Sequence, residues 1–359
     1  MNKRILANAK TDRRTFLAAA TGMLFAPAIL GSSRARAAGK IVYACGGGSY
    51  VDAVRAAFLD PFTKETDIEV VTVGNTDLAK LKSQIMTGSV DVDLTDVIGT
   101  EVGAASAAGL LEPIDYSLVK TDKSDLIYPD AVRKDSLGLF TYTSGIGSSA
   151  ASKASGKYPS NWKEFWDVSN FPGRRGLRSR PNETLEIALL AQGVTPDKLY
   201  PLDVKRAFES LDAIKPNIRK WIDTTPQTVE LLSSGELDFV NTFNGRVFAA
   251  NKAGVDLGYS SEQLLIELGV VAVPKGAKNP KQAMELMNFI LRPDRQAQFC
   301  EMLAYPPISR KAIELISPDL KKWIPKDGDT SNLVVNTDWW GEPGRLADIN
   351  NQFQTWLLS

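Results

Sequence analysis

The sequence predicts an α/β fold in two domains, and three observations carry that prediction. Apolar strand-like runs alternate with helical patterns, the chain beyond its leader is longer than one core accommodates, and no long tether interrupts it. Lys40 to Cys45 (KIVYAC) is a short run of β-forming residues. Gly46-Gly47-Gly48-Ser49 breaks it, and Val51, Val54, Phe58 and Phe62 then follow helical spacing. Ile68 to Val73 is the next strand, Leu78, Leu81 and Ile85 mark a helix, and Val90 to Ile98 a further strand. The pattern resumes after Tyr142. Val204, Ala207, Phe208, Leu211 and Ile214 share a helical face with Asp203 as N-cap, and Leu237 to Thr242 and Leu268 to Val273 read as buried strands. Met284, Met287, Ile290 and Leu291 form another apolar face, and Pro293 ends that helix and restarts the next. Strands separated by helices of this length predict a parallel sheet with helical crossovers.

The N-terminus reads as a removable export signal. Residues 11–17 are TDRRTFL, an apolar stretch runs from Leu17 to Leu30, and Ala35-Arg36-Ala37 offers a small-residue cleavage site. Arg13-Arg14 with Phe16 and Leu17 resembles the twin-arginine signal, with an ordinary secretion signal as the alternative. No cysteine follows the cleavage site to carry a lipid, and the expected location is the periplasm. Removing residues 1–37 leaves 322 residues and changes the balance from 42 basic against 42 acidic to 35 against 41. A mildly acidic chain without basic clusters has no electrostatic reason to bind nucleic acid or an anionic membrane.

Histidine is absent, which excludes histidine-based nucleophiles and the usual histidine zinc sites. No catalytic residue, metal site or cofactor is predicted. A carboxylate-only periplasmic hydrolase is the remaining enzymatic alternative. Neither a dinucleotide fingerprint nor a P-loop is present, so the glycine run reads as room for a ligand near a helix start. Cys45 and Cys300 read as two buried free thiols.

Six short segments in order then carry a resemblance. They are Phe62-Thr63-Lys64-Glu65-Thr66, Leu199-Tyr200-Pro201-Leu202-Asp203, Asn244-Gly245-Arg246, Ala272-Val273-Pro274-Lys275-Gly276, Leu291-Arg292-Pro293-Asp294 and Tyr305-Pro306-Pro307. Together they resemble the spermidine/putrescine-type periplasmic solute-binding proteins of ABC transporters. The resemblance implies the two-lobed binding-protein fold of type II, with two crossings between discontinuous lobes. One lobe would hold residues 38–142 and 268–306, the other 143–267 and 307–359. It implies a small amine-bearing ligand in the cleft, a permease in the inner membrane as partner, and a monomer that closes on a hinge. A zwitterionic amino acid or aminophosphonate is the alternative ligand.

Residue by residue, the resemblance places Tyr50, Phe243 and Tyr305 as aromatic walls and Glu183 as an acid that meets an amine. Two positions depart from the family: its tryptophan and aspartate fall on Glu267 and Gly269. The paired tyrosines expected near Thr100 and Glu101 are also missing, so Glu101 and Glu267 become candidate acids in new places. Glu183 also reads as an ordinary first-turn helix acid behind an Asn182 cap. Thr224-Thr225-Pro226-Gln227 predicts a helix start with proline at its first position, whose free N–H groups, with Thr225 and Gln227, suit a carboxylate or phosphonate. Arg180 and Arg246 are its candidate helpers.

Overall fold

The computed structural model describes residues 39–97, 99–120 and 122–359; the leader and its paired arginines lie outside them. Ten strands form one sheet: β1 (Lys40–Cys45), β2 (Glu69–Gly74), β3 (Leu94–Val97), β4 (Leu137–Ser148), β5 (Arg175–Arg178), β6 (Ile218–Ile222), β7 (Phe239–Phe243), β8 (Gly258–Tyr259), β9 (Leu265–Ala272) and β10 (Leu333–Val334). The order is β2-β1-β3-β9-β4-β7-β5-β6, with β10 on β9 and β8 on β4. Helices include α1 (Ser49–Val54), α2 (Gly99–Ala107), α3 (Pro181–Ala191), α4 (Val204–Ile214), α5 (Thr225–Ser233), α6 (Asn244–Lys252), α7 (Pro293–Leu303), α8 (Thr337–Trp340) and α9 (Arg345–Leu358).

The α/β class holds, but the sheet is mixed. β1 pairs in parallel with β2 and β3, and β5 with β6 and β7. At the centre, β9 is antiparallel to β3 and β4, and β4 to β7. The crossover rule applies where a helix returns the chain to the same end of the sheet. β4 and β9 instead run side by side through the middle and need no such return. β4 escapes detection because Gly138, Gly145 and Gly147 lower its β propensity. It is a strand because neighbours hold both its edges.

Two principal cores flank these central strands. One gathers Tyr43, Phe58, Phe62, Leu139, Val271, Met287 and Phe299. The other gathers Trp162, Phe165, Leu185, Leu211, Phe239, Trp340 and Phe353. α4 supplies Ala207, Leu211 and Ile214 to burial, and its Asp203 side chain caps Arg206 N–H at 3.0 Å as predicted. Both cysteines are buried and free, and burial pushes the Cys45 thiol up to about 12. No described helix is long and apolar enough to cross a membrane.

Candidate functional site

The site is built at the carboxyl ends of the parallel strands, where open α/β sheets leave a crevice. At the end of β5, Arg178 is 3 % exposed, and two residues later Arg180 points to the same region. Phe243 closes β7 between them, with the guanidinium carbons of Arg178 and Arg180 5.8 and 5.7 Å from its ring centre. Arg178 donates from Nη1 to Thr225 Oγ1 at 3.0 Å, so the first residue of α5 belongs to this cluster. The Nε atoms of both arginines are buried with no hydrogen-bond partner among the described residues. Burial, with the like charges of Arg180 and Arg246, brings Arg178 down to about 10.

Two acids face the arginines. Glu183, 1 % exposed, accepts from Arg180 and, through its other oxygen, from Ser144 Oγ at 3.2 Å. Asn241 Nδ2 in turn donates to Ser144 Oγ at 2.6 Å. Glu183 lies in the first turn of α3, but Asn182 is the second residue of that helix rather than its cap. At φ 70° and ψ −48° Glu183 interrupts the helix start, a conformation uncommon and strained for a residue with a side chain. Such strain persists only where the surroundings enforce it, and here the ion pair and Ser144 do so. Glu267, 2 % exposed, accepts from Tyr142 O–H at 3.0 Å. Burial and the adjacent Glu183 raise the Glu267 carboxyl well above its ordinary range, against the opposing pull of Arg180 and Tyr142.

An aromatic track leads away from the charges. Phe243 meets Tyr142 edge-on at 5.3 Å, Tyr142 meets Phe140 at 6.3 Å, and Phe140 stacks on Tyr305 at 5.0 Å and 9°. Tyr50 lies against Phe140 at 5.9 Å. The track ends at Asp96, which accepts from Tyr43 O–H at 2.5 Å and from Gly46 N–H at 3.3 Å. Burial pushes Asp96 up to about 6, against the pull of the Tyr43 and Tyr50 hydroxyls.

The register of β4 on β9 explains the departures noted in the sequence. Tyr142 lies opposite Glu267 and Phe140 beside Gly269. A Cβ on Gly269 would come within 2.5 Å of Phe140 Cζ, so the missing side chain makes room for that ring. The rings absent from β9 and α2 come from β4 instead.

The structure therefore brings Glu183, Glu267, Phe243 and Thr225 into one cluster, and Tyr50 and Tyr305 into the adjoining track. Glu101 stands apart on α2, sharing with Arg180 and Asn182 the walls of a cleft of about 520 Å³. Burial, with Asp77 nearby, raises its carboxyl. Gln227 is engaged in a capping box, its Oε1 accepting from Thr224 N–H at 3.3 Å. α5 begins at Thr225, so Pro226 is the second helical residue rather than the first. Sequence reading missed Arg178, Tyr142, Phe140 and Asp96. The alternation Phe140-x-Tyr142 along a strand was the one available signal, and an unrecognised strand hid it.

Residues 57–327 match the family model described as bacterial extracellular solute-binding protein. The chain belongs to that family. It is 30 % identical to the gamma-aminobutyric acid-binding protein of Pseudomonas aeruginosa over 93 % of this chain and 95 % of that one. It is 26 % identical to the spermidine/putrescine-binding periplasmic protein of Escherichia coli, over 85 % of this chain and 88 % of that one. The solved structure of a GABA receptor superposes with a TM-score of 0.79 at 33 % identity, covering 88 % of this chain and 97 % of that one. This solute-binding protein thus has the periplasmic-binding-protein fold that the resemblance implied, and its family works outside the cytoplasm.

Proposed function

We propose that this periplasmic binding protein supplies an ABC importer with a small zwitterion, a molecule with an ammonium and a carboxylate on one short chain, rather than with a polyamine. The observation that carries the proposal is the buried arginine pair around Phe243, with two guanidinium N–H groups lacking acceptors. Glu183 is already neutralised by Arg180, and burial beside Glu183 raises the Glu267 carboxyl. Arg178 meets Thr225 and no carboxylate among the described residues, so the cluster without ligand suits an anion better than a second cation. A ligand carboxylate between Arg178, Arg180 and Thr225 supplies the missing acceptors. Its carbon chain then runs along Phe243, Tyr142, Phe140 and Tyr305, with Asp96 at the far end opposite the ammonium. The ligands named for the Pseudomonas relative and for the solved GABA receptor are of this class.

What supports the lobe division 38–142 with 268–306 and 143–267 with 307–359 is the pair of cores on either side of β4 and β9. Closure about those strands brings the Tyr50 and Tyr305 walls toward Phe243. Export of the folded chain through the twin-arginine route, then delivery by a monomer to an inner-membrane permease, completes the role.

Calorimetric titration with 4-aminobutanoate and with putrescine tests the ligand assignment. The expected result is binding of the first and none of the second, with affinity for 4-aminobutanoate falling at least tenfold in Arg178→Met. Putrescine binding equal to or tighter than 4-aminobutanoate overturns it in favour of a polyamine.

A further inference from the structure

Three segments that carry the aromatic walls meet at one side chain that faces none of the ligand space. Asn244, the first residue of α6, is fully buried. Its Nδ2 donates to Ala304 O at 2.6 Å, and its Oδ1 lies 3.4 Å from Thr143 N. Phe243 precedes it, Tyr142 precedes Thr143, and Tyr305 follows Ala304. We infer that Asn244 is a positioning residue for the site: it clasps the end of α7 to β4 and to α6, and so holds the Tyr305 ring over Phe140 within reach of Phe243.

Several features require such a clasp. Ala304 sits at φ 55°, a left-handed turn that a residue with a Cβ adopts only when something holds it. The carbonyl of Ala304 is buried, and the Asn244 amide satisfies it where a hydrophobic side chain would leave it orphaned. Beyond the turn, Pro306 O accepts from Thr141 N–H at 2.7 Å and from Thr141 Oγ1 at 3.2 Å, laying this segment along the central strand. Gly245 completes the seat. A Cβ there would lie 2.6 Å from Tyr305 Cε1 and 2.7 Å from Leu303 O. The clasp also joins the two sides of the molecule: α6 contributes Val247 to the core of β6, β7 and α5, whereas Phe299 of α7 belongs to the core around β1. β4 and β7 fix Phe140 relative to Phe243, and the Asn-Gly pair helps to seat Tyr305 over that ring.

The inference rests on the assignment of Tyr305 and Phe243 to the ligand site, and the experiment separates the two. Asn244→Ala removes the clasp, and Gly245→Ala keeps Asn244 but pushes Tyr305 from its seat. Each is expected to weaken 4-aminobutanoate binding at least tenfold, and this loss is expected to shrink to less than threefold in a Tyr305→Ala background. A role in folding alone predicts a loss that persists undiminished without Tyr305, and that result overturns the inference. Amide hydrogen exchange on the ligand-free chain gives a second readout, with the backbone from 303 to 305 expected to exchange at least tenfold faster in Asn244→Ala. Wild-type exchange there overturns the clasp whatever the ligand. Failure of the wild-type chain to bind 4-aminobutanoate, with exchange accelerated as expected, sinks the ligand assignment and leaves the clasp standing.

Discussion

Glu186 lies one turn beyond Glu183 on α3, wholly buried, with Tyr200 O–H and Trp340 Nε1 donating to its Oε1 at 2.7 and 2.6 Å. Its Oε2 has no partner among the described residues. Burial is the main cause that pushes this carboxyl from 4.5 to about 7; the two donors oppose it and the charge of Glu183 adds to it. The folded chain therefore holds a proton that the unfolded chain has already released. The associated stability is fully present below about pH 4.5, falls as pH rises, and is lost above about pH 7. At about 1.4 kcal/mol for each pH unit between those limits, ionising this group costs the fold about 3 kcal/mol. For a body of this length, at about 1.5 °C per kcal/mol, that corresponds to about 4–5 °C in Tm. Glu186→Gln keeps the shape and the acceptor but cannot ionise. The measurement is the difference in Tm between Glu186→Gln and wild type, taken without ligand at pH 4.5 and at pH 8. It should move in favour of the variant by about 4 °C between the two. Asp96 and Glu267 shift in the same direction, but they are present in both proteins and cancel. A difference constant to within about 1 °C across that range refutes the reasoning from burial, since the carboxyl would then titrate at its ordinary value.

Glu183→Gln breaks the ion pair with Arg180 and should lower stability by roughly 1.5–3 kcal/mol in urea titration without weakening 4-aminobutanoate binding in calorimetry, because Glu183 touches protein rather than ligand. Gly269→Ala drives a methyl into Phe140, which cannot retreat because Tyr305 and Phe299 lie 5.0 and 5.2 Å away. That overpacking should lower stability by about 1–3 kcal/mol in urea titration, and an unchanged midpoint would show that the ring moves freely. Addition of 4-aminobutanoate should reduce the radius of gyration in small-angle scattering; an identical curve at saturation argues against closure. Replacing Arg13 and Arg14 by Lys should leave unprocessed precursor in the cytoplasm, and normal processing of that variant points to the general secretion route.

Local pattern made part of this molecule legible. Lys40–Cys45 is a strand because its apolar run is buried on the way to the crevice, and Asp203 caps α4 because a short acceptor precedes an amphipathic helix. Both follow from residues within a few positions of one another, as do the absence of histidine chemistry and the family-like segments around Tyr305 and Asn244. Glu183, Glu267 and Phe243 were visible as single candidates for the same reason. What they do was not visible, because it depends on partners far away in the chain. Arg180 neutralises Glu183 only because a strained backbone at φ 70° aims that acid back at it. Tyr142 reaches Glu267 across 125 positions only because β4 and β9 pair in one register, and a slip by one residue would send every ring on β4 to the opposite face. The central strand itself came from tertiary structure, since its glycines weaken the β pattern and neighbours on both edges hold it extended. Residue type and spacing thus determined what kind of protein this is. Which side chains meet was decided by strand register and by the backbone at Glu183, which no local stretch of sequence encodes.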